Sequence, residues 1–385
     1  MLKLLMGGDV LWEGTLRKGY ALLFSGPRNG LSAGRVLACL PEERTEGIDA
    51  ERIDVSGRYV SPGFINVHVH GAMGHDLMDA TDEAIDGLSR AMAQQGATAF
   101  LPTTITASWE DTEAAADAVR RGMLRALPGA AVLGMHLEGP WLDTAMKGAH
   151  PEEFISSRPD AGWVASREDV VRTVTFSPTL DPRHVFLRRL LELGVVPSLG
   201  HTTAGFEEAR AAIDAGARSI THLFNAQAGL HHRAPGMVGA AAVTDVMCEL
   251  IADGHHFRPE LFSPLCRLIG TERLILITDS MRAAGLPDGD YAFGGSTVTV
   301  RDGLPVKPDG TIAGSALRMN ESIRVFQRAT GLPLSEVVGM ATRNPARLLG
   351  LSRKGELAAG MDADVTCFDE DLNVSMTFVG GQRVV

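Results

Sequence analysis

The recurrence of apolar runs between residues 64 and 279 constrains the fold of this chain more than any other feature. INVHV, ATAFLP, VLGMHLE, VTFSPTL, VVPSLGHT, SITHLFNA, CELIAD and RLILITD follow one another there. Amphipathic stretches such as DEAIDGLSRAMAQQ and FEEARAAIDAG lie between them. Strands that are apolar on both faces belong to parallel sheets covered by helices. Eight of them alternating with helices predict an α/β fold, most simply a (β/α)8 TIM-like barrel. An open doubly wound sheet would place a glycine-rich phosphate turn after an early strand, and no GxGxxG stands there.

Outside this run the pattern changes. Residues 1 to about 58, and those beyond about 351, read as short antiparallel strands separated by Gly and turn residues. Neither end has enough strands to cover its own apolar face. One small β-sandwich domain built from 1–57 and 348–385 is therefore expected, beside a catalytic barrel domain of 58–347. A chain of 385 residues can bury cores of that size. No apolar run approaches the roughly 20 residues of a membrane span. The opening MLKLLMGGDVLWEG is interrupted too soon for a signal peptide, so a cytoplasmic protein is expected. Cys39, Cys248, Cys266 and Cys367 form no CxxC pair, and a net charge of −11 disfavours nucleic acid as a partner.

Barrel enzymes carry their chemistry at the C-terminal ends of the strands. The stretch Tyr59–Gly71 reads as a buried strand interrupted at Pro62 and Gly63, and it delivers His68 and His70. At i and i+2 two imidazoles share a strand face. Later strands end in His136 and Glu138, His201, His222, then Asp253, His255 and His256, and finally Asp279. Twelve histidines placed by chance would also fall on helices and loops. For one of them, such as His201, a hydrogen-bonded core residue competes with a ligand. For the set, a shared metal site is expected, with nitrogen and oxygen donors that suit zinc first, then iron or manganese. Glu138 ends an apolar strand, and a buried carboxylate is costly unless it is paired or ligates a metal. Asp279 closes LILITD, and the residues after it do not read as a helix that it could cap. It is placed to take a proton from a metal-activated water and pass it to a leaving group.

Several longer motifs carry a family resemblance. PGFINVHVHG, HLEGPWLDTAMKGAHP, SLGHTTA, THLFNA, RAPGMVGA, IADGHH, ITDSMRAAGLPDG and TIAGSALRMN run in order along the chain. Together they resemble the N-acetylglucosamine-6-phosphate deacetylase family of the amidohydrolase superfamily. HxH alone marks the superfamily at most; HLEGP with KGAH, THLFNA and ITDSMRAAGLPDG is specific to the deacetylases.

The resemblance implies hydrolysis of the N-acetyl group of a hexosamine 6-phosphate, giving acetate and the free amine. It assigns Glu138, His201 and His222 to a main metal, and His68 and His70 to a second, for one or two divalent ions per subunit. Asp279 becomes general base and then acid, and His150 polarises the acetyl carbonyl. Ala149, Asn225, Ala226, Arg233 and His256 become contacts to sugar and phosphate, with Ile312, Ala313 and Gly314 lining the pocket. A phosphate dianion suits Arg, His and backbone N–H donors. The family also implies a homodimer in which an Arg or His crosses to the neighbouring site. Two positions depart from its commoner residues: Gln227 stands for Met and bears on the pocket edge, and Trp141 stands for Phe and bears on a lid over the sugar. Other expectations are an N-acetylgalactosamine-6-phosphate deacetylase, a cyclic-amide hydrolase, or a non-catalytic scaffold. The cyclic-amide enzymes commonly use a carboxylated lysine on an inner strand, and no strand here ends in lysine.

Overall fold

A computed structural model describes residues 1–27 and 33–385. The apolar runs form parallel strands β1 (Phe64–Val69), β2 (Ala97–Pro102), β3 (Met135–Glu138), β4 (Val171–Phe176), β5 (Val196–Leu199), β6 (Ser219–Ile220), β7 (Met247–Ile251) and β8 (Leu274–Ile277). Strands β3 to β8 pair in chain order in one parallel sheet. Strands β1 and β2 pair in another, with the short strand Ala131–Val132 outside β2. Isolated parallel bridges link the two sheets at both seams, Thr103 to His136 and Val69 to Ser280. The molecule is an α/β fold. Ile65, Val67, Ala99, Leu101, Val196, Met247, Ile275 and Ile277 share one buried cluster, although they come from β1, β2, β5, β7 and β8. Strands so far apart in order meet only where the sheets curve round a common interior.

Helices cover the outside. They are α1 (Asp82–Gln94), α2 (Trp109–Met123), α3 (Ala161–Ala165), α4 (Val185–Glu192), α5 (Phe206–Asp214), α6 (Gly236–Ala242), α7 (Phe262–Ile269) and α8 (Met319–Thr330), followed by α9 (Leu334–Met340) and α10 (Arg343–Leu348). The local sequence explains α1 well. Thr81 caps it by accepting the Ala84 N–H, and Ile85, Leu88 and Met92 bury one helical stripe. Gly96, at φ +84°, takes the left-handed conformation that lets the chain leave.

The stretch read as one interrupted strand is two strands in different sheets. Tyr59–Pro62 pairs antiparallel with Val365–Phe368 and parallel with Asp9–Trp12, whereas β1 pairs with β2. Gly63 sits at the crossing, where a Cβ would overlap the Thr98 side chain. The chain ends form a four-stranded and a six-stranded sheet. Leu5, Leu22 and Phe24 of the first share a buried cluster with Val10, Val60, Val365 and Phe378 of the second. No helix among the described residues is long and apolar enough to cross a membrane.

Two expected strands are shorter than their apolar patterns. SITHLFNA is strand only at Ser219–Ile220, because His222, Phe224 and Ala226 all take positive φ. VTFSPTL leaves β4 after Phe176, where Pro178 starts a 3-10 turn. Beyond β8 an antiparallel sheet of Gly289–Phe293, Ser296–Arg301 and Leu304–Val306 leans over the rim, and Phe293 packs with Ile105 and Ala149.

Candidate active site

The strand ends converge on Glu138. One carboxylate oxygen, Oε1, lies 3.2 Å from His201 Nε2 and 3.0 Å from His222 Nε2, and those nitrogens are 3.1 Å apart. The other, Oε2, lies 3.5 Å from His68 Nε2, 3.3 Å from His70 Nε2 and 3.4 Å from His150 Nε2. Asp279 Oδ1 closes that side, 3.3 Å from His68 Nε2 and 3.0 Å from His70 Nε2. All seven side chains are buried. Donors about 2.1 Å from a tetrahedral ion sit about 3.4 Å apart, so the spacing of these donor atoms is that of a coordination shell. Groups of donors on either side of the Glu138 carboxylate could hold a metal ion.

Local backbone geometry aims three of these groups. His201, His222 and Asp279 each stand two residues beyond their strand, at φ +47°, +28° and +48°. Left-handed backbone is costly for residues other than glycine, and such residues concentrate at functional sites.

The hydrogen bonds on the far side of each ring sort the imidazoles into two kinds. His201 Nδ1 donates to Met146 O at 2.8 Å, and His70 Nδ1 donates to Thr103 O at 3.2 Å. His68 Nδ1 donates to Glu249 Oε2 at 3.0 Å. Each of these rings therefore turns Nε2 toward Glu138, the nitrogen that can bind an ion once it has given up its proton. His150 is the reverse. Its Nδ1 accepts the Thr106 backbone N–H at 3.1 Å, which puts the ring proton on Nε2, facing the site. His150 is a hydrogen-bond donor to whatever binds beside Glu138.

Charge supports the same division. Burial alone would raise Glu138, yet the charge of His68 and hydrogen bonds from His150, His201 and His222 hold it well below the usual carboxylate range. Burial likewise opposes ionisation of Asp279, but His68 and His70 lower it. Burial lowers His70, and its hydrogen bonds to Asp279 and Glu138 outweigh that, raising it to about 9. Burial takes His150 down to about 4, so it is neutral at pH 7. Without an ion, protonated imidazoles balance the buried carboxylates; a divalent cation would take over that positive charge.

Beside the cluster opens a cavity of about 360 Å³, a size suited to a small ligand. His70, Glu138, His150, His201, His222 and Asp279 line its floor, and Ala149, Asn225, Ala226, His256, Ile312 and Gly314 its walls. His256 Nδ1 donates to Asp253 Oδ2 at 2.6 Å, which fixes that ring.

Other expected positions lie elsewhere. Ala313 is fully buried among Met281, Phe293 and Val298 rather than on the cavity wall. Arg233 is on an exposed loop, its Nη1 2.7 Å from His232 Nε2, and does not line the cavity. His255 is exposed. His136, counted with the rim, instead donates to Val67 O and bonds Thr175 Oγ1 below it. Trp141 forms no lid; it is fully buried against Phe186 and Trp109. Gln227 lies under the cavity edge, its Nε2 donating to the carbonyls of Thr221, His222 and Asn225.

The sequence reading missed Glu249, Thr106, Phe293 and Ile105. Only Glu249 leaves a signal, as a lone carboxylate inside the apolar strand MCELI.

The chain matches the model of the amidohydrolase family over residues 59–384. It is 37% identical to the N-acetylglucosamine-6-phosphate deacetylase of Bacillus subtilis (strain 168), over 91% of this chain and 91% of that protein. It is 39% identical to the N-acetylgalactosamine-6-phosphate deacetylase of Escherichia coli O157:H7, over 83% and 86% respectively. The crystal structure of N-acetylglucosamine-6-phosphate deacetylase from Pasteurella multocida matches with a TM-score of 0.92 at 29% identity, covering 100% of this chain and 99% of that one. A mutant deacetylase from Mycobacterium smegmatis, in complex with N-acetyl-D-glucosamine-6-phosphate, matches with a TM-score of 0.90 at 35% identity and covers 100% and 99%. The chain belongs to the amidohydrolase family and, within it, to the N-acetylglucosamine-6-phosphate deacetylases.

Proposed function

We propose that this chain hydrolyses the N-acetyl group of N-acetylglucosamine 6-phosphate, releasing acetate and glucosamine 6-phosphate, with one or two divalent ions, zinc first, at the rim of a (β/α)8 barrel. The observation that carries this reading is the Glu138 carboxylate shared between His201 and His222 on one side and His68 and His70 on the other, with Asp279 and His150 facing the same cavity. A bound ion would supply Lewis-acid polarisation of the amide carbonyl and an acidified water.

The chain's own groups do the rest. The neutral His150 ring donates its Nε2–H to the acetyl oxygen, where charge develops as the tetrahedral intermediate forms. Asp279 accepts the proton of the attacking water. It then gives that proton to the departing nitrogen as the C–N bond breaks, leaving acetate and a free amine. Asn225, Ala226, His256 and the backbone at Ala149, Ile312 and Gly314 hold the sugar and its phosphate.

Arg233 is assigned to phosphate as well, across a homodimer. It is off its own cavity, on an exposed loop beside the exposed Leu230, which suits a contact with a second copy. The chain ends, 1–57 and 348–385, form a small β-sandwich domain that also takes in the strand Tyr59–Pro62, supported by their shared apolar cluster, and the barrel domain begins after that strand. A cytoplasmic location fits a phosphorylated sugar substrate.

Acetate release should be compared on N-acetylglucosamine 6-phosphate, its galactosamine isomer and unphosphorylated N-acetylglucosamine. The reading expects kcat/KM at least about 100-fold higher for the glucosamine phosphate than for the parent sugar, since charge-assisted contacts to phosphate are lost with it. Equal rates on those two would remove the phosphate assignment. Faster turnover of the galactosamine isomer would favour the second reading, which the 39% identity to the E. coli O157:H7 relative supports.

A further inference from the structure

We propose that Glu249 is a positioning residue that orients His68 for a second divalent ion; this rests on the metal-site reading above. Glu249 stands in the middle of β7, alternating onto one face with Met247 and Ile251, which belong to the cluster inside the strands. Its side chain is 1% exposed. A carboxylate so placed is costly unless it is matched by donors.

One oxygen does two jobs. Glu249 Oε2 accepts the His68 Nδ1–H at 3.0 Å and the His222 backbone N–H at 3.3 Å. The first bond fixes the His68 proton on Nδ1, because the other tautomer would set a lone pair against a carboxylate. It leaves His68 Nε2, a buried nitrogen with no hydrogen-bond partner among the described residues, aimed at Glu138 and Asp279. The second bond holds the backbone of His222 at φ +28°. Glu249 thus touches one ligand from each side of the Glu138 carboxylate. His136, whose ring centroid is 4.6 Å from that of His68, is engaged by Val67 O and Thr175 Oγ1 and does not compete for it. A carboxylate behind a ligand imidazole fixes its orientation and strengthens it as a donor.

The alternative is a carboxylate that serves only to fill and brace the interior. Two substitutions separate these roles. Glu249→Gln keeps the shape and an acceptor oxygen but removes the charge; Glu249→Met removes both acceptor and charge. Stripped wild-type and variant chains would be titrated with Zn²⁺ against a competing chromogenic chelator. Bound ions would be counted by plasma mass spectrometry, and thermal unfolding of the ion-free proteins followed in parallel.

The proposal expects two ions in the wild type. It expects the weaker of them to lose about 10-fold in affinity in Glu249→Gln and up to about 100-fold in Glu249→Met, the scale for loss of a group behind a ligand. In a His68→Ala background, Glu249→Gln should weaken ion uptake no further. Wild-type affinity for both ions in Glu249→Gln and Glu249→Met overturns the proposal, and so does a fall in ion-free Tm with both affinities kept. A wild type that holds one ion overturns it too, but leaves the metal-site reading standing. A wild type that holds none sinks that reading itself.

Discussion

At the scale of single residues, protons decide what this site can do. His70 carries a proton at neutral pH in the absence of an ion, since its pKa is raised to about 9. A ligand imidazole must be neutral, so ion uptake at pH 7.5 releases protons. Apparent Zn²⁺ affinity should therefore climb as pH rises toward about 9 and flatten above it, in competition titrations across that range. An affinity independent of pH would contradict the protonation described for His70. Asp279 makes a different prediction. Asp279→Asn keeps the side-chain shape and tolerates the left-handed backbone. It should leave ion content near normal while acetate release falls by about 100-fold or more, the usual contribution of a proton-transfer group. Near-normal turnover would remove Asp279 from that role. Most of these groups were legible in the sequence because each terminates an apolar strand, where a polar residue has no reason of packing to be. Arg233, Ala313 and Trp141 were not, since motif position says which loop holds a residue but not which way it faces.

At the scale of elements, the strands place the site by where they stop. β5, β6 and β8 each end two residues before a left-handed site residue, which swings the side chain over the rim. That explains why SITHLFNA has the composition of a strand but pairs only at Ser219 and Ile220. Apolar pattern reports burial, and the buried Thr221 to Leu223 segment satisfies it without pairing as strand. Glu249 escaped for the opposite reason: an interior strand position was read from its neighbours as apolar. Trp141 offers a test of packing against function. It fills the space between the turn after β3 and α4, and its Nε1 is buried without a hydrogen-bond partner among the described residues. Trp141→Phe loses buried ring area but also an unsatisfied donor, so it should cost no more than about 2 kcal/mol in denaturant unfolding. KM should not change. A large rise in KM would bring Trp141 back to the cavity.

At the scale of the whole molecule, an acidic chain binds an anionic substrate by concentrating positive charge locally. The net charge is −11, and the cavity wall contributes His256 but no arginine among the described residues. If Arg233 completes a second copy's site, Arg233→Ala should raise KM for the phosphorylated substrate by about 10-fold or more. It should leave ion content and the rate on unphosphorylated sugar unchanged. In mixed dimers, Arg233→Ala should restore activity to an Asp279→Asn partner's complex, because one site then has both its own Asp279 and an intact partner loop. Failure of that rescue, with dimers present, would place Arg233 outside the site. The parallel strands and the terminal sheets were readable from alternation and run length alone, whereas a residue that served a second copy would leave no mark within one sequence.

The most direct measurement is acetate release from N-acetylglucosamine 6-phosphate by the chelator-stripped chain as Zn²⁺ is added back. The account predicts negligible turnover without ion and a rise that saturates at no more than two ions per chain. Full turnover by a chain holding only trace metal would contradict it.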